Sequence, residues 1–250
     1  MGRSGLRALP QGAGAQARGK AGRGDRGAEE GAAAAHYSIG ILYRKQRNHR
    51  KALQHLEQAA KLEPKKAQVH YSLGLAYFGA GRKGDALVSL KQAARLDPKD
   101  HQIQHQIGVL MIRSNPKGAI PYLQAAVKAK PQDADYLHQL GLAFRRAGDL
   151  KQAERFMLRA SAHKQQAGLS FDLGVLYRRM DKPQRAIEHY ERAVELEPKM
   201  AAAHWDLGHM YSQVKRTADA VRAYERYVQL RGTSEDAAIA RKRIQELKRK

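Results

Sequence analysis

The stretch HYSIGILYRKQRNHRKALQHLEQAAKLEPKK, residues 36–66, recurs in closely similar form further along the chain. The second copy, HYSLGLAYFGAGRKGDALVSLKQAARLDPKD, spans residues 70–100 and begins 34 residues after the first. Similarity at a fixed period of about 20–50 residues is the sequence signature of a repeat architecture, in which each unit stacks on its neighbours. The period therefore decides the fold class before any single motif is considered.

A glycine marks the same position in six consecutive units, at intervals of 34, 34, 33, 33 and 34 residues. An aliphatic residue precedes each of these marker glycines, and a large apolar or aromatic residue lies three positions after it, at G+3. The marker glycines are Gly40, Gly74, Gly108, Gly141, Gly174 and Gly208.

The spacing of apolar residues within a unit predicts two helices. The residues at G−1 and G+3 are four apart, so they share one face of a first helix. A second stretch repeats the helical period, as in Ala52, Leu56 and Ala59. The turn RKQRN separates the two stretches, and Pro64 closes the unit because proline cannot continue a helix. Each unit is therefore predicted to be a helical hairpin that buries its apolar face only by stacking on its neighbours.

This pattern resembles the tetratricopeptide repeat (TPR) family over about residues 33 to 233. The resemblance implies an all-α fold, a right-handed α-solenoid of helix-turn-helix hairpins. The third unit is one residue short in its turn, and the fourth lacks the closing proline, which affects local geometry. The predicted repeats are 33–66, 67–100, 101–133, 134–166, 167–200 and 201–233.

The two ends of the chain differ from the repeats. Residues 234–250 are predicted to form a C-terminal capping helix, which Ser234 or Thr233 can cap. Residues 1–32 are rich in Gly, Ala and Arg and are predicted to be disordered. Two alternatives stay open for them: a mis-assigned start of translation and, less favoured, a transit peptide. The apolar stripe of the capping helix consists of Ala237, Ala240, Ile244 and Leu247.

The composition limits the classes of function. The chain has 46 Lys and Arg against 24 Asp and Glu, a formal net charge of +22, which favours nucleic acid, an anionic membrane surface or an acidic protein as partner. Because there is no cysteine, disulfides, thiolate metal sites and a cysteine nucleophile are excluded. No apolar run predicts a transmembrane segment, and no apolar core of a secretory signal occurs, so we expect a cytoplasmic location.

Motifs for catalysis or cofactor binding are weak. GAQARGK, residues 14–20, matches most of a phosphate-binding loop, but Ala21 stands where a Ser or Thr should hold magnesium. His101 and His105 are one helical turn apart, but no third metal ligand is evident nearby. The sequence therefore predicts a protein that is not an enzyme and carries no cofactor or metal.

One known TPR binding mode is predicted to be absent. TPR proteins that grip the C-terminal carboxylate of heat-shock chaperones carry a lysine at G−3 and an asparagine at G+1. None of the six units has that lysine–asparagine pair. The chaperone carboxylate clamp is therefore not expected here.

A ring occupies G−3 in every unit instead. An aliphatic residue follows at G+1 in five of the six units, and arginines cluster at G+4 and G+5, which places all three groups on one stripe of the first helix. In TPR proteins the first helix lines the concave groove, so the resemblance implies that this stripe faces the groove. The predicted partner-binding residues are Tyr37, Ile41, Arg44, Tyr71, Leu75, His105, Arg113, His138, Leu142, Arg145, Arg146, Phe171, Val175, Arg178, Arg179 and Trp205.

Two classes of function remain. The favoured one is a protein–protein interaction scaffold that binds an apolar and acidic segment of a partner protein in the groove, in an assembly or chaperone-like role. The alternative is a basic nucleic-acid-binding α-solenoid, whose rings would stack on bases. Against it, basic residues are scattered over all faces and no nucleic-acid motif is present. A third interpretation is that the rings only pack one repeat against the next.

Overall fold

A computed structural model describes the backbone of residues 13–249 and the side chains of residues 27–249. Within that range the chain forms α-helices and no strand. The helices are α1 (Ala13–Lys45), α2 (His49–Leu62), α3 (Ala67–Gly79), α4 (Lys83–Leu96), α5 (His101–Met111), α6 (Pro116–Ala129), α7 (Ala134–Ala147), α8 (Leu150–His163), α9 (Ala167–Arg179), α10 (Pro183–Leu196), α11 (Ala201–Gln213), α12 (Thr217–Arg231) and α13 (Glu235–Lys248).

The helices alternate as the repeat pattern predicts, a first helix and a second helix in each unit, and six such pairs precede α13. The second helices α2, α6, α8 and α10 each pack on the first helix of the next hairpin. The chain divides into two compact units, Met1–Ile103 and Gln104–Lys250. The all-α class built from stacked helical hairpins is therefore confirmed, and the helix pairs are consistent with six repeats.

The marker glycines allow the two helices of a hairpin to approach closely. A methyl group on Gly74 would lie 2.7 Å from Leu90 Cγ and 3.2 Å from the backbone oxygen of Ala86. At Gly208 the same methyl would lie 2.7 Å from the Tyr224 ring. The absence of a side chain at this position is therefore what lets the second helix seat its largest core residue.

Caps and turns set where the second helices begin. The side chains of Asn48, Asn115 and Asp149 accept hydrogen bonds from the first-turn backbone amides of α2, α6 and α8. The turn residue at G+7 has positive φ in five hairpins, and it is glycine in two of them. The non-glycine cases are Arg47 (φ 58°), Asp181 (φ 54°) and Lys215 (φ 60°).

The C-terminal helix α13 covers the last hairpin. Ser234 Oγ accepts a hydrogen bond of 3.3 Å from the backbone N–H of Ala237 at its start. Ala237 and Ala240 are fully buried, and the partly buried Ile244 and Leu247 pack against the α12 tyrosines. The predicted capping helix and its apolar stripe are therefore present.

The N-terminal helix α1 is longer than predicted, because its backbone is helical from Ala13. Over residues 13–32 the structure therefore differs from the predicted disorder, while residues 1–12 lie outside the described residues. Alanine favours the helix, and extension of a packed helix needs no new nucleus. The side chains of residues 27–32 are exposed, and burial begins at Ala33. None of the described helices is long and apolar enough to cross a membrane.

Candidate functional site

The residues at G−3, G+1, G+4 and G+5 form one side of the first helices, called the first-helix face below. In the second compact unit, residues 104–250, side chains of this face contact the neighbouring first helix. His105 of α5 stacks on Tyr136 of α7, with ring centroids 4.4 Å apart. His138 of α7 contacts Asp172 of α9. Two of the predicted partner-binding residues, His105 and His138, therefore each contact a side chain of the next first helix.

All six rings at G−3 are half-buried. Phe171 lies with its ring centroid 5.6 Å from that of Tyr190, a core residue of the second helix. Trp205 contacts Tyr224 and Tyr227, at 5.4 and 5.1 Å between centroids. The rings therefore pack against core residues and also leave part of their surface accessible. They are neither wholly exposed for a ligand nor wholly buried between repeats.

The aliphatic residues at G+1 are half-buried in the same way. This holds for Ile41 and Leu75 in the first unit and for Leu142 and Val175 in the second. They lie one helical turn from the rings and so extend the accessible apolar surface along each first helix.

Arg145 is held inside the protein by the next repeat. Its Nη2 donates a hydrogen bond of 2.9 Å to Asp172 Oδ1, and the other oxygen, Oδ2, lies 2.9 Å from His138 Nε2. The Arg145 side chain is only 11% exposed. Burial lowers the pKa of the Arg145 guanidinium, and the Asp172 carboxylate acts in the opposite direction. The sequence assigned this guanidinium to a ligand, but here it already has a carboxylate partner.

Arg178 repeats this arrangement one hairpin later. Its Nη1 donates to Asp206 Oδ1 at 2.8 Å, so again an arginine at G+4 meets an aspartate at G−2 of the next repeat. Asp206 is nearly buried, while 38% of the Arg178 side chain remains exposed. Burial raises the pKa of Asp206, and Arg178 opposes that rise. Arg178 is therefore paired but still reachable from solvent.

The neighbouring arginines at G+5 are also exposed cations of this face. Arg146 and Arg179 are both exposed, and their charges help to lower the pKa of Arg145 after the larger effect of burial. Arg179 Nη1 donates a hydrogen bond of 3.3 Å to the backbone oxygen of Arg145. Arg113 differs from the prediction, since it lies in the turn after α5 and not on the helix. The α7 and α9 arginines thus form a positive cluster whose two G+5 members face water.

In the first repeat, the arginine at G+4 has no aspartate at G−2 of the next repeat to pair with. Arg44 is half-buried, and its Nε is enclosed without a hydrogen-bond partner. The G−2 residue of the next repeat is Ser72, whose hydroxyl instead donates to the Tyr37 hydroxyl at 3.3 Å. Burial raises the pKa of Tyr71, and the Arg44 charge acts against that rise. Among the side chains that the structure describes, no carboxylate forms an ion pair with Arg44, whereas Asp172 lies 2.9 Å from Arg145.

The pairing of Asp172 and Asp206 with these arginines was not predicted from the sequence. A signal was available, because Arg145 precedes Asp172 by 27 residues and Arg178 precedes Asp206 by 28. These separations connect G+4 of one repeat with G−2 of the next. No cluster of three or more His, Asp or Glu side chains able to hold a metal occurs among the described residues.

Comparison with known proteins identifies the family. The tetratricopeptide repeat model matches residues 37–101, 111–167 and 171–241. A structure of MamA, residues 41 to the end, from Desulfovibrio magneticus RS-1 is 24% identical with a TM-score of 0.64, covering 68% of this chain and 97% of that one. Among curated protein sequences there is no significant match.

Two further structures cover more of the chain. PilF of Pseudomonas aeruginosa is 15% identical with a TM-score of 0.71, covering 86% of this chain and 99% of its own. PilW, described as a widely conserved type IV pilus biogenesis factor, is 16% identical with a TM-score of 0.75, covering 83% and 97%. These likenesses show the fold alone, whereas the family model matches well over half of the sequence. The chain therefore belongs to the tetratricopeptide repeat family.

Proposed function

We propose that this protein is a non-enzymatic interaction scaffold that binds a segment of a partner protein on the first-helix face, in the groove that this face lines in TPR proteins. The segment carries apolar side chains and several carboxylates. Its apolar residues lie against the half-buried rings and the G+1 aliphatics, and its acids pair with exposed arginines. TPR proteins generally act as protein-interaction scaffolds, and one solved TPR structure of similar fold, YrrB, is described as having an unusual peptide-binding site.

The surplus of guanidinium groups beside accessible apolar surface carries this proposal. The aspartates Asp172 and Asp206 are already occupied by Arg145 and Arg178, so they do not repel an acidic ligand strongly. Arg146 and Arg179 remain exposed next to those pairs. Arginine binds carboxylates bidentately, and partly buried arginines and aromatic rings are frequent hot spots of binding energy.

A pair of synthetic peptides tests the chemistry of the ligand. The probe is a fluorescent 12-residue peptide that alternates Leu or Phe with Asp or Glu, and its control replaces every acid by the corresponding amide. We expect the acidic peptide to bind at least about tenfold more tightly. Equal affinities would show that carboxylates are not recognised and would refute the acidic part of the proposal.

A pair of double variants tests the place of binding. Arg146→Glu with Arg179→Glu should weaken binding of the acidic peptide by about tenfold or more, since each lost charge-assisted contact is worth about 1.5–3 kcal/mol before solvent screening. The control, Lys91→Glu with Lys151→Glu, changes the net charge equally at exposed positions on second helices. If both variants weaken binding to the same extent, the attraction is diffuse charge and the site is not on this face.

The nucleic-acid alternative is separated by its salt dependence. The probe is a single-stranded DNA oligonucleotide of about 20 nucleotides. If several lysines and arginines contact its phosphates, binding releases counterions, and the affinity of the protein for it falls steeply as the salt concentration rises. We expect weak binding of this oligonucleotide and no competition with the acidic peptide. Tight binding with a steep salt slope, abolished by the Arg146 and Arg179 substitutions, would favour the alternative function.

A further inference from the structure

The outer side of the first hairpin carries apolar residues whose counterparts in the later repeats are buried, except for the half-buried Leu110 of the third repeat. Ile39 at G−1 is 39% exposed, whereas no other G−1 residue is more than 7% exposed. Leu42 at G+2 is 54% exposed, whereas Ala76, Ala143, Leu176 and Met210 at the same position are fully buried. These two positions lie on a different side of the first helix from the rings at G−3, so this surface is separate from the first-helix face.

The α2–α3 junction shows what covers these positions elsewhere. Leu73 and Ala76 of α3 form one buried cluster with Ala52 and Leu56 of α2, the second helix of the preceding hairpin. A second helix likewise contacts the following first helix at α6–α7, α8–α9 and α10–α11. The natural occupant of the G−1 and G+2 surface is therefore an amphipathic helix.

At two junctions between hairpins, α2–α3 and α10–α11, a tyrosine of the first helix binds a glutamate of the preceding second helix and lies beside a cation. Tyr77 at G+3 donates a hydrogen bond of 2.8 Å to Glu57 of α2, and the Arg82 guanidinium lies 4.6 Å from its ring. Tyr211 donates in the same way to Glu191 of α10, with Arg216 lying 4.5 Å from its ring. The acid comes from the preceding helix, while the tyrosine and the cation belong to the repeat that receives it.

The first hairpin has the receiving half of this arrangement and lacks the acid. Lys51 lies 5.1 Å from the centre of the Tyr43 ring, at G+3. Among the described residues, the Tyr43 hydroxyl has no hydrogen-bond partner. The exposed Arg47 adds positive charge in the turn that follows α1. Two independent features thus fit one further helix. Its apolar stripe would cover Ile39 and Leu42, and its carboxylate would bind Tyr43 and Lys51.

We infer that this outer surface of α1 binds an amphipathic helix of a partner protein, whose apolar stripe covers Ile39 and Leu42 and whose glutamate accepts a hydrogen bond from the Tyr43 hydroxyl beside Lys51. Residues 1–12 contain no acid and cannot supply that carboxylate. A second copy of the chain is disfavoured by the charge of +22, because two such chains repel each other. A separate acidic, amphipathic helix fits both requirements.

The chain itself supplies a matched probe. A side-chain-stapled peptide of residues 183–196, the α10 sequence with Glu191, presents the stripe and the acid that α11 receives in the protein. We expect this fluorescent peptide to bind the full chain saturably and the Leu42→Glu variant at least about tenfold more weakly. The control variant Val88→Glu changes an apolar residue that is 71% exposed on α4 and should bind like the wild type. Circular dichroism confirms that both variants are folded.

A double-mutant cycle tests the tyrosine–glutamate contact. Tyr43→Phe should weaken the peptide about threefold to tenfold, the range of a net hydrogen bond, and should have no effect on a peptide carrying Glu191→Gln. Absence of saturable binding, or equal loss in Leu42→Glu and Val88→Glu, overturns the inference. So does a wild-type dimer that Leu42→Glu dissociates, or a tenfold gain in peptide affinity on deletion of residues 1–12, because the occupant is then a second copy or the chain's own N-terminal segment.

Discussion

Arg145 and Arg146 are adjacent in sequence, yet the structure predicts opposite consequences for reversing their charges. Arg145→Glu removes the 2.9 Å ion pair with Asp172 and places a second carboxylate beside it, in a position where the arginine side chain is 11% exposed. Arg146→Glu makes the same chemical change one residue later, at an exposed position. The two variants therefore share net charge and composition, and differ in the burial and ion pairing of the residue replaced.

The expected size of the Arg145 effect follows from that burial. Removing one partner of a fully buried ion pair costs about 3–5 kcal/mol, because the remaining charge is left uncompensated. Since Asp172 is 20% exposed, water and the nearby His138 compensate part of the charge, and we expect a loss of about 2–4 kcal/mol. For a chain of this length that loss lowers the melting temperature by about 5–15 °C.

The assay is thermal unfolding followed by circular dichroism, with hydrogen exchange of α7 and α9 as a second readout, since repeat arrays need not unfold in one step. Arg146→Glu should shift the melting temperature by no more than about 2 °C, as expected for an exposed substitution. It should nevertheless weaken the acidic peptide. Equal melting temperatures for the two variants would refute the structural role of Arg145, and unchanged peptide binding by Arg146→Glu would refute its role in recognition.

Four other predictions concern the hairpins themselves. Gly74→Ala should destabilise the protein by about 1–2 kcal/mol in urea unfolding, because overpacking outweighs the gain in helix propensity, whereas Gly84→Ala, which has open space, should stabilise it by about 0.5–1 kcal/mol. Burial and a hydrogen-bonded glutamate raise the pKa of Tyr77 to about 12 from an ordinary value of 10, so its contribution is complete below pH 10 and lost as the pH rises through 12. The stability difference between wild type and Tyr77→Phe should shrink over that interval. Deletion from Thr233 onward should uncover the last hairpin, and hydrogen exchange should then show α11 and α12 opening first or solubility falling. Lys215→Gly should raise the melting temperature, because glycine adopts the positive φ of that turn without the cost that lysine bears.

The helical hairpins could be predicted because their determinants are local and periodic. A glycine with fixed neighbours recurs every 33 or 34 residues, and the contacts at Gly74 and Gly208 show why a larger residue does not fit there. The capping helix could be predicted because its apolar stripe and Ser234 lie within one short segment. The extent of α1 could not be predicted, because a Gly- and Ala-rich sequence has similar free energies as helix and as coil. Its packed C-terminal part supplies the helix nucleus from which the helix extends.

The candidate site was predicted at the level of helix faces but not of partners. Sequence spacing placed Arg145 and Arg178 on the same side of the helix as the rings, and in the structure both arginines pair with aspartates of the next repeat. Burial and pairing depend on the residue that the next repeat presents at G−2, and a stripe drawn on one helix contains no information about its neighbour. The same limit hid the outer surface of α1, because Ile39 and Leu42 match their buried counterparts in type and differ only in what lies beside them.

The arginines of successive repeats thus have two roles that follow from two register positions. At G+4 the side chain leans toward the next first helix, and an aspartate at G−2 there converts the arginine into a link between repeats, as Asp172 does for Arg145. At G+5 the side chain is turned about 100° further around the helix and remains in solvent, as Arg146 does. Where G−2 is a serine, as at Ser72, the arginine at G+4 keeps an unmatched charge. Ser72→Asp should therefore pair with Arg44, raise the stability of the first unit and reduce its share in binding an acidic peptide. An unchanged melting temperature together with unchanged peptide affinity would show that G−2 does not decide between the two roles.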